Sequence, residues 1–201
     1  MMSDKKLTLN NLNRVDSATS FLKMVFDVKE INDVELPINL EHIVGKIKNV
    51  NYSNSLSFED WDKSGFIQVI RNKNDELSNV NIWVNPSECS VRQRFTLAHE
   101  LGHLIFDVVP NLADPSREEL IVEKLHRDGS SSFKETRANK FAAQLLMPKE
   151  LINREVNKLV EQLKKETKKA TVNEVLSKLA PRFDVSEQSL EIRLRSLGYI
   201  R

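Results

Sequence analysis

The sequence predicts an α+β fold in which a small antiparallel sheet packs on one long helix, with further helices around them and a helical C-terminal tail. Two segments rich in β-branched and aromatic residues, 66–70 and 80–84, are separated by a polar, Asn-rich stretch that is typical of a hairpin loop. The apolar residues between positions 91 and 105 recur at helical spacing, which predicts the long helix.

Composition limits the classes of function. The 201 residues carry 30 Lys and Arg against 29 Asp and Glu, a net charge of +1, which argues against binding to nucleic acid or membrane through bulk charge. One cysteine excludes an intrachain disulfide, and no apolar run is long enough to span a bilayer. The first ten residues also lack the apolar core of a signal peptide. We therefore expect a cytoplasmic protein.

The N-terminal part is predicted to contain short elements. Residues 1–15 are polar and Asn-rich, so a flexible N-terminus is expected. Ser17 is a candidate N-cap for a short helix, and the apolar spacing over 40–47 predicts a second one. Residues 50–53 predict a strand that precedes the hairpin.

The rest of the chain is predicted to be mainly helical. The long helix begins near Ser90, which stands with Gln93 at capping-box spacing, and ends at Pro110. Further helices are predicted over 118–125, 133–147, 149–168, 172–182 and 187–197, with Gly198 as a stop. These elements suggest three units: the flexible N-terminus 1–15, a main domain 16–148, and a helical C-terminal subdomain 149–201 whose end resembles a helix-turn-helix.

The strongest functional signal is an H-E-x-x-H pattern, His99 to His103, on the predicted long helix. Residues four apart lie on one helix face, so His99 and His103 can bind one Zn²⁺ together. Glu100 is rotated by about 100 degrees from His99, which suits a general base acting on a water beside the metal. The alternative is two ordinary histidines and a solvated charge. It is less favoured because the pattern lies in an independently predicted helix.

A catalytic zinc site needs a third protein ligand, and spacing alone leaves its identity open. Phe106 and Val109 occupy the positions where a longer form of the motif has Gly and a third His. Glu135 opens a helix whose alanines permit close packing on the motif helix. However, Ser132 and Glu135 also stand at capping-box spacing, so ligand and cap are equally favoured. The other candidates are His42, His126, Glu118, Glu119 and Glu123.

Three stretches of the sequence resemble the ImmA/IrrE family of metallopeptidases: residues 83–86, residues 94–103, and the E-x-x-A-N run within 135–148. The resemblance covers roughly residues 64–148 well and the tail more loosely, whereas 107–132 and the first 60 residues match poorly. It implies a zincin-like fold in which zinc is bound by His99, His103 and Glu135, with Glu100 as the catalytic base.

The resemblance also implies an activity and a partner. Members of the family are zinc-dependent proteases encoded in mobile elements or stress-response systems, and they typically cleave a helix-turn-helix transcriptional repressor to relieve repression. We therefore expect a zinc metalloendopeptidase whose repressor substrate is a separate chain, since no repressor-type domain is recognisable here. The strand at 66–70 or at 80–84 is expected to offer an edge to an extended substrate.

Two other classes of function are weighed. One is a non-catalytic regulator or toxin-like partner of a repressor, with a structural zinc site. The other is a DNA-binding module in the tail, where Arg193 and Arg195 lie on the last helix. Glu187 and Glu191 dilute that positive charge, so packing of the tail on the main domain is favoured over direct nucleic-acid binding. The residues expected to pack are Leu176, Leu179, Leu190, Ile192 and Leu194.

Overall fold

The computed structural model describes residues 6–74, 76–112, 121–122, 133–165 and 171–200, which form eight α-helices and one four-stranded sheet. The helices are α1 (Leu9–Leu12), α2 (Ala18–Phe26), α3 (Leu40–Gly45), α4 (Ser90–His103), α5 (Phe133–Leu146), α6 (Lys149–Lys165), α7 (Val172–Phe183) and α8 (Glu187–Ser196). The strands are β1 (Val50–Ser53), β2 (Gly65–Arg71), β3 (Leu77–Val84) and β4 (Ile121–Val122). The α+β class is confirmed. Within the described residues, no helix is both long and apolar enough to cross a membrane.

The sheet is mixed, which corrects the expectation of an antiparallel sheet. Its order is β1-β3-β2-β4. β2 and β3 form the predicted hairpin, whereas β1 runs parallel to β3, with Val50 opposite Val80. Residues 54–64 connect β1 to β2 and cross the carboxyl end of β3. The direction of β1 depends on this connection, and the four-residue pattern that predicts the strand does not define its direction.

The outer neighbours of the hairpin correct two further expectations. β3 lies between β1 and β2, so residues 80–84 do not form a sheet edge. On the other side of β2, β4 pairs with Phe66 and Ile67, which covers that part of the expected substrate edge. Residues 121–122 are therefore strand rather than part of a helix over 118–125, and the other residues of that predicted helix lie outside the described residues.

Residues 6–15, which the sequence predicted to be flexible, contain the short helix α1 and contribute to the core. Leu9, Leu12 and Val15 are buried in the core. The backbone N–H of Leu7 donates to the carbonyl of Lys46 at 2.7 Å. The widely spaced apolar residues in this polar stretch gain enough from burial to hold it against α3.

α4 lies between the sheet and α5. A methyl group at Gly65 of β2 would lie 2.6 Å from Thr96 Cγ2, and one at Gly102 would lie 3.1 Å from Ala138 Cα, so glycine permits close approach on both sides. The helix begins at Ser90 as expected, but its N-cap is Cys89, without a side-chain cap. A π-helical turn, Leu104–Val108, continues it towards Pro110.

Gln93 stabilises the first turn of α4 through hydrogen bonds that differ from those of the expected capping box. Its side-chain amide donates to the carbonyls of Pro86 and Glu88, the residues that lead into the helix. Farther along α4, Arg94 donates to the carbonyls of Ile38 and Asp184. These bonds connect α4 to an N-terminal and a C-terminal segment of the chain.

The C-terminal helices pack on the rest of the protein. Leu190 and Leu194 of α8 are buried, and Arg193 donates to the carbonyl of Met147. Ile192 was expected to pack as well, but it faces outwards and is 63% exposed. Gly198 adopts φ = 78° after α8, as expected of a helix stop. The division at residue 148 stays a prediction.

Candidate metal centre

Two turns of α4 and the start of α5 bring three predicted ligands together. His99 Nε2 lies 2.9 Å from His103 Nε2, and each of these nitrogens lies 3.3 Å from an oxygen of the Glu135 carboxylate. Both histidines are buried, whereas Glu135 is partly exposed. Glu135 therefore lies close to both histidines, and its role as the third ligand stays a prediction.

The spacing of these donors fits a small divalent cation. Bonds from zinc to imidazole nitrogen and carboxylate oxygen are about 2.0–2.2 Å, which gives a tetrahedral ligand set edges of about 3.3–3.6 Å. The three observed separations are 2.9, 3.3 and 3.3 Å. Two neutral imidazoles and one carboxylate are also a donor set that binds divalent transition metals well.

Hydrogen bonds on the far side of each imidazole set its orientation. His99 donates from Nδ1 to Oδ1 of Asn139, and His103 donates from Nδ1 to Oδ2 of Asp107, both at 2.9 Å. With the proton on Nδ1, the lone pair of each Nε2 is directed into the cluster. Arg137 donates at 2.6 Å to the other oxygen of Asp107, so this carboxylate is itself held in place.

The surroundings favour a neutral imidazole at His99 and an ionised carboxylate at Asp107. Burial lowers the pKa of His99, and the neighbouring His103 lowers it further. Burial opposes ionisation of Asp107, but the hydrogen bond from His103 and the charge of Arg137 outweigh it, so the pKa of Asp107 lies below its ordinary value. Metal ligands must be deprotonated, and the surroundings of His99 favour that state.

Glu100 is fully buried on α4 next to the first ligand, and it points towards the sheet. A methyl group at Gly65 would lie 3.4 Å from Glu100 Oε1. The three donors that meet one another are His99, His103 and Glu135, so Glu100 is placed beside the cluster and not in it. The helical spacing predicts this difference in position between Glu100 and the two histidines.

Of the rival third ligands, His42 is the one that lies within the described residues, and it is not part of this cluster. His42 lies on α3, where its ring stacks on Phe26 at 5.4 Å between centroids. His126, Glu118, Glu119, Glu123 and the alternative cap residue Ser132 lie outside the described residues.

Sequence reasoning missed the residues that orient the ligands. Asp107 lies four residues after His103, and Asn139 lies four residues after Glu135. Each therefore faces the same side as a ligand on its own helix. That spacing was available in the sequence as a signal.

The comparison with known families agrees with this geometry. The family model of the IrrE N-terminal-like domain of peptidase M78 matches residues 54–195. The chain belongs to this family. The resemblance to ImmA/IrrE proteins is thereby confirmed, and this M78 domain has a metallopeptidase-type function with a His-His-Glu cluster suited to a metal. A search of curated proteins found no match to the chain. The M78 match extends through most of α8, so the helical tail is part of the matched region.

Proposed function

We propose that this protein is a cytoplasmic zinc-dependent endopeptidase that cleaves a separate helix-turn-helix transcriptional repressor and so relieves repression. The observation that carries the catalytic part is the His99, His103 and Glu135 cluster, with donor separations of 2.9–3.3 Å and a buried carboxylate, Glu100, beside it. Support for the repressor substrate comes from the likeness of the motifs to the ImmA/IrrE family.

In this proposal His99, His103 and Glu135 hold the ion, and Glu100 moves the proton. Bound zinc would supply Lewis acidity to the scissile carbonyl and to a water. Glu100 accepts the proton of that water and delivers it to the amide nitrogen of the departing segment. Burial and the close approach of β2 at Gly65 hold the Glu100 carboxylate in one position through both transfers.

Direct nucleic-acid binding stays outside the proposal. Arg193 is engaged with the carbonyl of Met147, and Arg195 donates to Glu191 on the same helix. Cations committed to internal partners are poor candidates for phosphate contacts. The protein partner, rather than DNA, is therefore the substrate we propose.

Metal content per chain tests the site. Elemental analysis of protein purified without chelator and loaded with zinc should give about one zinc in the wild type and much less in Glu135→Ala, because two histidines alone bind weakly. Glu100→Gln should keep its zinc, since Glu100 is not a ligand in the proposal. Equal zinc in wild type and Glu135→Ala would reject Glu135 as the third ligand.

Substrate identity is tested by labelling new N-termini. Proteins of the host cell are incubated with zinc-loaded wild type or Glu100→Gln, and N-termini that appear only with the wild type are sequenced. A new N-terminus within a helix-turn-helix repressor is expected. Cleavage confined to other proteins would reject the repressor. Full biological activity of Glu100→Gln would favour the non-catalytic regulator instead.

A further inference from the structure

Residues 54–64, which we call the apolar loop, carry three large hydrophobic side chains on the protein surface. Leu56, Phe58 and Trp61 are 80%, 91% and 74% exposed. Single exposed hydrophobic residues are ordinary, but three within six positions are not, and such patches mark interaction sites.

The backbone of the apolar loop is fixed although its hydrophobic side chains face outwards. Trp83 of β3 donates from Nε1 to the carbonyl of Ser55 at 2.9 Å. The side-chain amide of the buried Asn85 donates to the carbonyls of Trp61 and Lys63 at 3.0 and 2.9 Å. A loop held in this way presents its side chains without a large entropic cost on binding.

The apolar loop leads directly into the candidate active site. It crosses the carboxyl end of β3, and a methyl group at the residue that follows it, Gly65, would lie 3.4 Å from Glu100 Oε1. A polypeptide bound at the candidate metal centre therefore has the root of this loop as its neighbour.

The charge on the apolar loop restricts the partner. Glu59 and Asp62 are exposed, whereas Lys63, the one cation of the loop, is paired with Asp60 at 2.6 Å. The surface thus combines hydrophobic groups with negative charge. Negative charge disfavours an anionic lipid surface and favours a chain that carries Lys or Arg.

We propose that the apolar loop is the docking surface for the protein substrate, and that it binds a segment with apolar side chains flanked by Lys or Arg. This inference rests on the proposed peptidase function. Leu56, Phe58 and Trp61 supply the hydrophobic contact, and Glu59 and Asp62 select the positive flanks.

Fluorescence of Trp61 tests the docking surface without requiring cleavage. The chain has two tryptophans, and Trp83 is buried, so a change in acrylamide quenching reports chiefly on Trp61. The probes are two synthetic peptides with identical Leu and Phe positions, one with Lys and Arg flanks and the other with Glu flanks. Zinc-loaded Glu100→Gln is titrated with each peptide, and Trp61→Phe supplies the background. The basic peptide should protect Trp61, and the acidic peptide should bind at least about tenfold more weakly.

Two sets of variants separate hydrophobic from charged contributions. Leu56→Ser with Phe58→Ser should weaken binding of the basic peptide by about tenfold or more, measured by quenching of Trp61. Ile192→Ser is the matched control, because it removes a hydrophobic side chain that is also exposed, on α8. Glu59→Lys with Asp62→Lys should reverse the preference between the peptides. Equal binding by all variants would overturn the proposal.

Two other binding partners of the apolar loop, a membrane and a second copy of the chain, would give different experimental results. Protection of Trp61 by phosphatidylserine vesicles but by neither peptide would assign the loop to a membrane. Self-association that Leu56→Ser with Phe58→Ser abolishes, without peptide binding, would assign it to a second copy of the chain. Either result overturns the docking proposal and leaves the peptidase untouched. Absence of proteolysis with intact peptide binding would instead count against the peptidase function.

Discussion

His99 donates from Nδ1 to the side-chain oxygen of Asn139 at 2.9 Å, across the interface between α4 and α5. Because an amide oxygen can only accept, this bond places the imidazole proton on Nδ1 and directs the Nε2 lone pair towards His103 and Glu135. The orientation of a candidate ligand is therefore set by a residue on a different helix.

Replacing Asn139 by Ala should lower zinc affinity by about 10–100-fold, because His99 then loses the bond that fixes its tautomer and ring angle. Asn139→Asp keeps an acceptor oxygen at this position and should retain most of the affinity. Both are measured by competition with a fluorescent chelator. Lys140→Ala, an exposed neighbour on α5, is the control. Unchanged affinity in Asn139→Ala would show that packing alone orients His99.

Asp107 and Arg137 should act on the metal site in series. Asp107 contacts His103 directly, whereas Arg137 reaches it only through Asp107. Asp107→Ala is therefore expected to cost about 10–100-fold in zinc affinity, and Arg137→Met less. Since Arg137 has no carboxylate to hold once Asp107 is gone, the double variant should bind zinc about as well as Asp107→Ala. Strictly additive losses in this double-mutant cycle would contradict a serial arrangement.

The sequence predicted those features that depend on local periodicity. The α+β class, the strands of the hairpin, and the start of α4 follow from alternation and helical spacing within short windows, and so does the pairing of His99 with His103. The contact of Glu135 with both histidines depends on packing between two helices. Spacing alone therefore favoured the roles of metal ligand and N-terminal cap equally for Glu135, and only the family resemblance favoured the ligand.

The sequence-based predictions were wrong or incomplete for features that depend on contacts between distant parts of the chain. The parallel direction of β1 is decided by the path of residues 54–64, and α1, which carries the buried Leu12, contacts residues 109–111. Neither relationship leaves a periodic signal. Asp107 and Asn139 do lie four residues after ligands, but the chemistry of that spacing becomes recognisable only once the ligands themselves are placed.

Gly102→Ala should destabilise the protein and loosen the candidate metal centre. A methyl group at this position would lie 3.1 Å from Ala138 Cα and 3.2 Å from the Phe141 ring, so α5 must move away. Overpacking of this kind should exceed the gain in helix propensity and lower the free energy of unfolding by about 1–2 kcal/mol. Zinc affinity should fall too, because Glu135 is carried by α5. Urea unfolding and chelator competition measure the two effects.

Gly45→Ala is the matched control for this substitution. Gly45 ends α3, and a methyl group there would meet no atom within 4 Å. Stability should stay unchanged or rise slightly, since alanine restricts the unfolded chain. Equal effects of the two substitutions would show that the contact between Gly102 and Ala138 is not what holds α5 against α4.

Glu155→Gln should remove a pH-dependent contribution to stability. Burial alone would raise the pKa of this α6 carboxyl, but hydrogen bonds from Lys158, Arg182 and Arg154 outweigh burial and lower it from 4.5 to about 2. A carboxyl whose pKa is lower in the folded state than in the unfolded chain stabilises the protein at any pH above its unfolded-state pKa. That stability is lost as the pH falls through the folded-state pKa. The variant should therefore be about 2 kcal/mol less stable at neutral pH, allowing for partly solvated cations.

The difference between wild type and Glu155→Gln should shrink as the pH falls from about 4.5 towards 2, the interval between the two pKa values. Urea unfolding across this range measures it, because other titrating carboxylates affect both proteins alike and cancel in the difference. Glu161→Gln, an exposed change on the same helix, should match the wild type throughout. A constant difference between wild type and Glu155→Gln would mean that Glu155 stabilises the contact of α6 with α7 through shape and not through its charge.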